Sequence, residues 1–413
     1  MDSPVRAVPL LLVAASVASL LCIASPGEGI PLYAARQGLK CQNCHFDPNG
    51  GGPRNEFGFA YARNRHSTEA ETQGAFKDLN LVNKVSDSFP LYLGVNQRLM
   101  SLADDAGDNI LGLDRFGFYS METAIHMAFQ PHPRLTLVYT QDGFASSSRK
   151  TREAWGMLGL CPDWYLRAGR FRVPFGLRMD DHTVATRNAF VEFQNPGRSI
   201  LPYDPREPDE GMELGGSHGN MSGRVAFTNG TTSVLGLNGG ARLHSQTVSA
   251  KLGMSTPSFE YGLSGYDEYE PAAIAGDRVR ASRWGYYAFT HRGNASLIAE
   301  VVAGTDHLSP ASAGALDRRR NVMGAFGEVD YQFNRAYNMR VRYDRLEGDR
   351  ASDPTVREQS SFNRYAIEGE FVPVPFAEIR WTARLIDPVA ATFVGGAERK
   401  NEKQGYIQVH FSY

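Results

Sequence analysis

The sequence predicts a mainly β fold: an antiparallel barrel of about 16 strands behind a small N-terminal α/irregular module. Three observations carry that expectation. Runs of alternating apolar and polar residues begin near residue 89 and recur to the C-terminus. Turn clusters separate them, with short and long connections alternating along the chain. Before residue 89 the texture differs, with one long apolar run followed by a stretch rich in glycine and containing two cysteines.

Bulk composition bounds the answer. The chain has 413 residues, 42% hydrophobic and 21% charged, which is not a disordered composition. The formal net charge of -2 provides no general basic field, and no basic nucleic-acid module is present, so nucleic acid is not expected as a partner. Arginine outnumbers lysine 36 to 7, which reads as genome composition rather than function.

The first element is the apolar run Ala7–Ala24, preceded by Arg6 and followed by Ser25 and Pro26. An apolar core before small residues reads as a secretory signal over 1–25. The run is also near the length of a membrane helix, a reading that Pro9 and the serines oppose. Leu21 is too bulky before Cys22 for a lipoprotein signal. No other stretch is comparably apolar, which excludes a multi-span helical membrane protein and leaves either a soluble exported chain or a β-barrel.

The second element, 26–75, carries Cys41-Gln42-Asn43-Cys44-His45. This is the attachment pattern for a c-type haem. Two thiols three positions apart can each add to one vinyl group of the same haem, and the adjacent imidazole can ligate the iron. A disulfide would not need His45. A zinc site would need about four ligands, and only His66 is nearby as a further soft one. The expectation is one covalent haem c, with thioethers from Cys41 and Cys44 and axial His45. There is no methionine between the signal and residue 99, so His66 is the candidate for the second axial position, its alternative being a solvated loop histidine. Gly50-Gly51-Gly52 is read as a loop around the haem edge, with Phe57, Phe59 and Tyr61 available to pack on the porphyrin. Such a module is too small to bury much core alone. A linker over 76–88 follows.

The third element, 89–413, is the barrel. Tyr337, Met339, Val341 and Tyr343 alternate with Asn338, Arg340, Arg342 and Asp344. Ile379, Trp381, Ala383 and Leu385 alternate with Glu378, Arg380, Thr382 and Arg384, and Ile407, Val409, Phe411 and Tyr413 with Gln408, His410 and Ser412. Period two means strands with one apolar and one polar face. A soluble sandwich shares that period. A densely charged polar face, aromatics near strand ends and a C-terminal aromatic favour an outer-membrane barrel. Strand starts are expected near 89, 116, 133, 152, 164, 211, 221, 241, 258, 280, 294, 321, 337, 361, 375 and 403. The even count returns the C-terminus to the side of the N-terminal module. The longest irregular stretch, 173–210, is expected to be functional and to fold into the lumen as a constriction. Within it Asp180, Asp181 and His182 are candidate ligands for ferrous iron, the alternative being a solvated charged loop. Cys161 has no evident partner and is read as a spectator thiol.

The lead-in Ala34-Ala35-Arg36-Gln37-Gly38-Leu39-Lys40-Cys41 resembles the Ala-Arg-Gln segment of the fused outer-membrane monohaem cytochrome–porin family of iron-oxidising bacteria, with one residue fewer before Cys41. Gly169-Arg170-Phe171-Arg172-Val173-Pro174-Phe175-Gly176 resembles the broader group of phosphate-selective-type porins. The resemblance implies a haem that takes an electron from extracellular ferrous iron and hands it to a periplasmic electron-carrier cytochrome, with outer-membrane lipid around the barrel. The module would sit at the periplasmic side or in the lumen. The alternative function is a solute-transporting porin with a haem-bearing plug. A haem sensor, or a reductase running electrons outward, is a third.

Overall fold

The computed structural model describes residues 32–37, 39–70, 76–105, 115–143, 150–177, 184–186, 208–230, 246–256, 258–269, 278–308, 318–348, 361–388, 393–394, 397–398 and 401–413. The expected signal, 1–25, lies outside them. Three short helices come first: α1 (Leu32–Gln37), α2 (Cys41–Cys44) and α3 (Glu56–Arg63). Then follow β1 (Leu91–Asp105), β2 (Arg115–His132), β3 (Leu135–Asp142), β4 (Lys150–Cys161), β5 (Trp164–Phe171), β6 (Asp209–His218), β7 (Met221–Thr228) and β8 (Gln246–Ser255). The second half holds β9 (Phe259–Tyr269), β10 (Arg278–Arg292), β11 (Ala295–Leu308), β12 (Arg318–Gln332), β13 (Tyr337–Gly348), β14 (Phe362–Val374), β15 (Ala377–Pro388) and β16 (Glu402–Ser412). A two-residue ribbon, Phe393–Val394 with Ala397–Glu398, lies between the last two.

Each strand pairs antiparallel with its sequence neighbours, and β1 pairs with β16 from Asn96↔Ser412 to Asp105↔Lys403, so the sheet closes into a barrel. The expected class and strand number are borne out. The largest displacement is at β8, described from Gln246 and not from 241.

The direction of the two faces separates a membrane barrel from a soluble one. On β13, Tyr337, Met339, Val341 and Tyr343 are 51, 39, 59 and 42% exposed, whereas Asn338, Arg340, Arg342 and Asp344 are 4, 5, 2 and 0% exposed. The apolar side chains point outward and the charged ones inward, the reverse of a soluble sandwich. Leu252, Leu263, Trp284, Val329, Tyr365 and Ile407 extend the outward apolar surface around the barrel.

The connections are asymmetric. Those after β2, β4, β6, β8, β10, β12 and β14 are short, and both ends of the sheet, Leu91 and Ser412, lie on that same side. The connections on the other side are longer throughout.

Residues within 32–37 and 39–66 contact inward-facing strand residues and the short-turn end of the barrel. Arg36 reaches Asp330 on β12 (2.7 and 3.0 Å) and Glu370 on β14 (3.1 Å). Tyr33 donates to Glu378 on β15 (2.7 Å), and Arg167 on β5 binds Asp47 (2.7 Å). Arg224 on β7 donates to the Pro48 carbonyl, and Arg54 donates to the carbonyl and hydroxyl oxygens of Ser412. Each partner is a polar residue on the inward face of its strand or at the strand end.

The described residues after β5, 172–177 and 184–186, also pack inside the barrel. Phe171, Val173, Phe175, Val184 and Ala185 are fully buried. The Leu177 amide and Thr186 hydroxyl donate to Glu300 (2.8 and 2.7 Å), and the Ala185 amide donates to Asp344 (3.0 Å). Ala35 and Leu39 of the N-terminal module pack with Leu177 and Val184, so module and inserted segment meet inside the barrel.

One local expectation is corrected. Phe57, Phe59 and Tyr61, expected to be available together to a porphyrin, do not share one face, because they lie on α3. Asn55 caps that helix by accepting from the Gly58 amide (2.9 Å), and Glu56 and Arg63 suit its two ends. Helical geometry then separates the three rings. Phe57 is exposed, and Phe59 packs on Phe376 and Tyr413 of the barrel (4.9 and 5.1 Å between ring centroids). Tyr61 stacks on His66 at 5.8 Å.

Candidate functional site

Cys41 and Cys44 occupy the first and last positions of α2, three apart and so on one face of a single turn. The Lys40 amide donates to the Asn43 side chain (2.8 Å), and the Asn43 amide to the Lys40 carbonyl (2.9 Å), which fixes the turn. Both cysteines are free thiols; Cys41 is 2% exposed and Cys44 is half-buried. Burial pushes Cys41 above the usual thiol range and Cys44 up to about 11. Lys251, Arg224 and Glu260, on β8, β7 and β9, act on the Cys41 thiol electrostatically.

His45 leaves the turn in extended conformation and bridges to Arg54. The Phe46 amide donates to the Pro53 carbonyl (3.2 Å), and the Asn55 amide to the Cys44 carbonyl (3.0 Å), which closes the loop between them. Gly50, Gly51 and Gly52 all have positive φ (88, 78 and 64°), a run that only glycine accepts without strain, and it brings the Gly51 and Gly52 backbone beside His45.

The Nδ1 atoms of His45 and His66 are buried and have no hydrogen-bond partner among the described residues. Burial lowers both imidazoles to about 3, so both are neutral near pH 7. A neutral imidazole is the ligating form. His66 follows α3 in the left-handed region (φ 56°), with its amide donating to the Tyr61 carbonyl. Its ring lies 4.1 Å from that of Tyr33. Arg54 stands beside both histidines.

The donor set fits a c-type haem. Two free thiols share one face, a neutral buried imidazole follows them, and a second such imidazole lies in the same module. It does not match the zinc alternative, because the residues that cluster with His66 are carboxylates and not the two thiols.

His66, Glu370 and Glu378 bring three potential ligand atoms within 4.8 Å of one another. Guanidinium groups already meet those carboxylates. Arg36 and Arg380 face Glu370, and Arg380 and the Tyr33 hydroxyl face Glu378. Two cations next to two carboxylates leave little net charge for a divalent ion, and the cluster reads as an ion-pair clamp on the module. Asp180, Asp181 and His182 lie outside the described residues. Cys161 is exposed at the β4–β5 turn, apart from the module.

Arg36, Asp47, Asp330, Glu370 and Arg167 join the module to the barrel wall, and sequence reading does not single them out. Strand parity marks the three strand residues as inward-facing, but their pairing with the module is non-local and leaves no spacing signal.

Two predictions arise here. A Cβ added at Gly58 would lie 2.0 Å from the Cys44 carbonyl oxygen. Gly58→Ala must therefore push α3 off α2, a cost of about 1–3 kcal/mol. Protease nicking within 32–66 is expected to be faster in that variant, whereas Gly327→Ala, where an added Cβ meets nothing within 4 Å, leaves it unchanged. The second concerns pH. The unfolded module takes up protons below about pH 6.5 and the folded module does not until about pH 3, so stability falls as pH drops through that window. For His66 alone the loss between pH 7 and 5 is about 2 kcal/mol. In haem-free C41A/C44A protein, protease nicking within 32–66 is expected to be faster at pH 5 than at pH 7.5; equal rates would refute this.

No family model matches the chain, and no curated protein matches it. Solved structures do resemble it. The anion-selective porin from Comamonas acidovorans is 9% identical, with a TM-score of 0.56 over 79% of this chain and 100% of that one. OmpF of Salmonella typhi in complex with daunomycin is 11% identical, with a TM-score of 0.56 over 79% and 98%. OprB of Pseudomonas putida is 10% identical, with a TM-score of 0.54 over 78% and 94%. At these identities the likeness is one of fold: a porin-type barrel.

Proposed function

We propose that this chain is an outer-membrane barrel that carries electrons and not solutes, through one covalent haem c held by a plug in its lumen. The observation that supports this most directly is the position of Cys41, Cys44 and His45 on a segment bound to inward-facing residues of a closed barrel. The hydrocarbon of a membrane, about 30 Å thick, blocks electrons as well as ions. The apolar outer face suits that hydrocarbon, and a module bound to the inner wall suits a conduit.

Cys41 and Cys44 would hold the ring covalently, His45 would supply one ligating nitrogen, and His66 is the candidate for a second. When bound, haem supplies a centre that accepts and releases single electrons. The protein residues do the rest. Arg36, Tyr33 and Arg54 tie the module to strands β12, β14, β15 and β16, and Leu177 and Val184 of the segment after β5 pack against it. Extracellular ferrous iron is the proposed donor and a periplasmic cytochrome the proposed acceptor, as the family resemblance implies.

The second reading is a solute porin with a haem-bearing plug. The fold alone favours it, since the similar solved structures are porins. The two readings separate in a planar bilayer with purified haem-loaded protein. Negligible conductance together with haem reduction on stopped-flow mixing with ferrous iron supports the conduit. A stable porin-sized conductance supports the channel and defeats it.

A further inference from the structure

Ala124, His126 and Ala128 share the inward face of β2, and all three are buried. The two alanines carry only methyl groups, and the β1 partner of His126 is Gly94, so the imidazole is the one long side chain on this stretch of β2. Its Nδ1 lies 3.0 Å from the hydroxyl of Thr140, its register partner on β3. That contact fixes the ring and leaves Nε2, the nitrogen farther from the backbone, to project beyond it. Nε2 is buried and has no hydrogen-bond partner among the described residues. Such an atom destabilises the fold unless something completes it. The module brings His45 to the same place. Phe46 packs on Tyr92 (4.8 Å between ring centroids), and Tyr92 pairs with Ala128. Arg54, the bridge partner of His45, donates to Ser412 (2.8 Å). Ser412 pairs with Asn96, and Asn96 with Ala124. The two residues that flank His45, one in sequence and one by pairing, are thus fastened to the wall on either side of His126.

We propose that His126, a residue of the barrel wall, supplies the second iron ligand to the haem held at Cys41, Cys44 and His45, in place of His66. This rests on the haem reading proposed above. A ligating histidine binds through one ring nitrogen while a hydrogen bond to the other sets its tautomer and orientation. His126 has that arrangement: a ring that donates through Nδ1 to Thr140 presents the Nε2 lone pair. The two imidazoles also act on each other electrostatically. His66 is engaged elsewhere. Its ring lies against those of Tyr33 and Tyr61 (4.1 and 5.8 Å), in a cluster with Glu370 of β14 and Glu378 of β15. His410 of β16 also has a buried Nε2 without a partner, but its Nδ1 faces Glu378 at 3.8 Å. With one ligand from the module and one from the wall, the cofactor would join the two parts by a tie separate from the Arg36 and Arg167 ion pairs.

The test uses haem-loaded full-length protein, checked as a folded barrel by heat-modifiable gel migration, with spin state read by absorption and electron paramagnetic resonance. The parent is expected to be low-spin. His126→Ala is expected to keep its haem stain, because Cys41 and Cys44 are untouched, and to lose most of the low-spin signal, which free imidazole restores. His66→Ala and His410→Ala are expected to keep the parent spectrum. His126→Met retains the bulk and a ligating atom should the alanine variant not fold. It is expected to stay low-spin with a raised midpoint potential. A purely structural role for His126 would give neither the imidazole rescue nor the change of potential. A high-spin parent, a low-spin His126→Ala, a high-spin His66→Ala or a His126→Met with the parent potential overturns the inference while the haem reading stands. A parent without haem stain overturns both.

Discussion

Arg36→Ala is expected to unplug the barrel. The Arg36 guanidinium meets Asp330 through two nitrogens at 2.7 and 3.0 Å and Glu370 through the third at 3.1 Å, all three side chains being essentially inaccessible. Removing one partner from such a cluster leaves buried carboxylates without their countercharge, which costs about 3–5 kcal/mol. The cost falls on docking and not on the barrel, because the sheet is held by its own ladders and the broken contacts join module to wall. Purified R36A is therefore expected to keep the heat-modifiable migration of a folded barrel while gaining single-channel conductance and protease sensitivity within 32–66. Asp330→Asn in the same chain should return part of the loss, since it removes one of the stranded charges. A folded variant with the same conductance as the parent would refute the role given to Arg36.

Arg167→Ala should do comparable damage on the opposite side of the lumen. Its two terminal nitrogens each lie 2.7 Å from a carboxylate, Asp47 of the module and Glu213 of β6. Its guanidinium also stacks 4.4 Å from the Phe171 ring and 5.2 Å from Trp155. Burial already pushes the Asp47 carboxyl above its ordinary range in spite of Arg167, so without the guanidinium that carboxyl would be held neutral or driven from its place. The expected loss is again about 3–5 kcal/mol, seen as a lower denaturant midpoint for release of the module. Arg167→Lys is the informative companion. It keeps the charge but cannot span two carboxylates or stack on the ring, and it should recover only part of the loss. Full recovery by lysine would mean that charge alone, and not the fork, ties Asp47 to Glu213.

The barrel was legible because its signal is local. Val341 between Arg340 and Arg342 declares a two-faced strand without reference to the rest of the chain, and the same holds for each of the others. What the period cannot declare is which face is outside. Val341 exposed and Arg342 buried is a property of the closed sheet, which a soluble sandwich would invert. The haem motif was legible for the same reason as the strands, since Cys41 to His45 fit within a single turn and its exit. The clamp was not. Arg36 and Asp330 are 294 positions apart, and only the barrel's curvature brings them together. Phe57, Phe59 and Tyr61 point different ways because the Asn55 cap makes the segment helical, so residues two apart do not share a face. Asp180, Asp181 and His182 remain an expectation, although their described neighbours Leu177 and Val184 both sit in the lumen.

Module and barrel belong to one polypeptide, joined by a connection whose last part already lies against the module, through Lys84 to Glu56 and Asn83 to Arg54. A plug on so short a leash does not dilute away when its contacts break. It returns against an effective concentration in the millimolar range, which favours re-docking without any new contact. Variants such as R36A should therefore flicker between blocked and open in single-channel records instead of staying open. Cutting the leash by inserting a protease site between 67 and 80 should convert the flicker into a permanent pore.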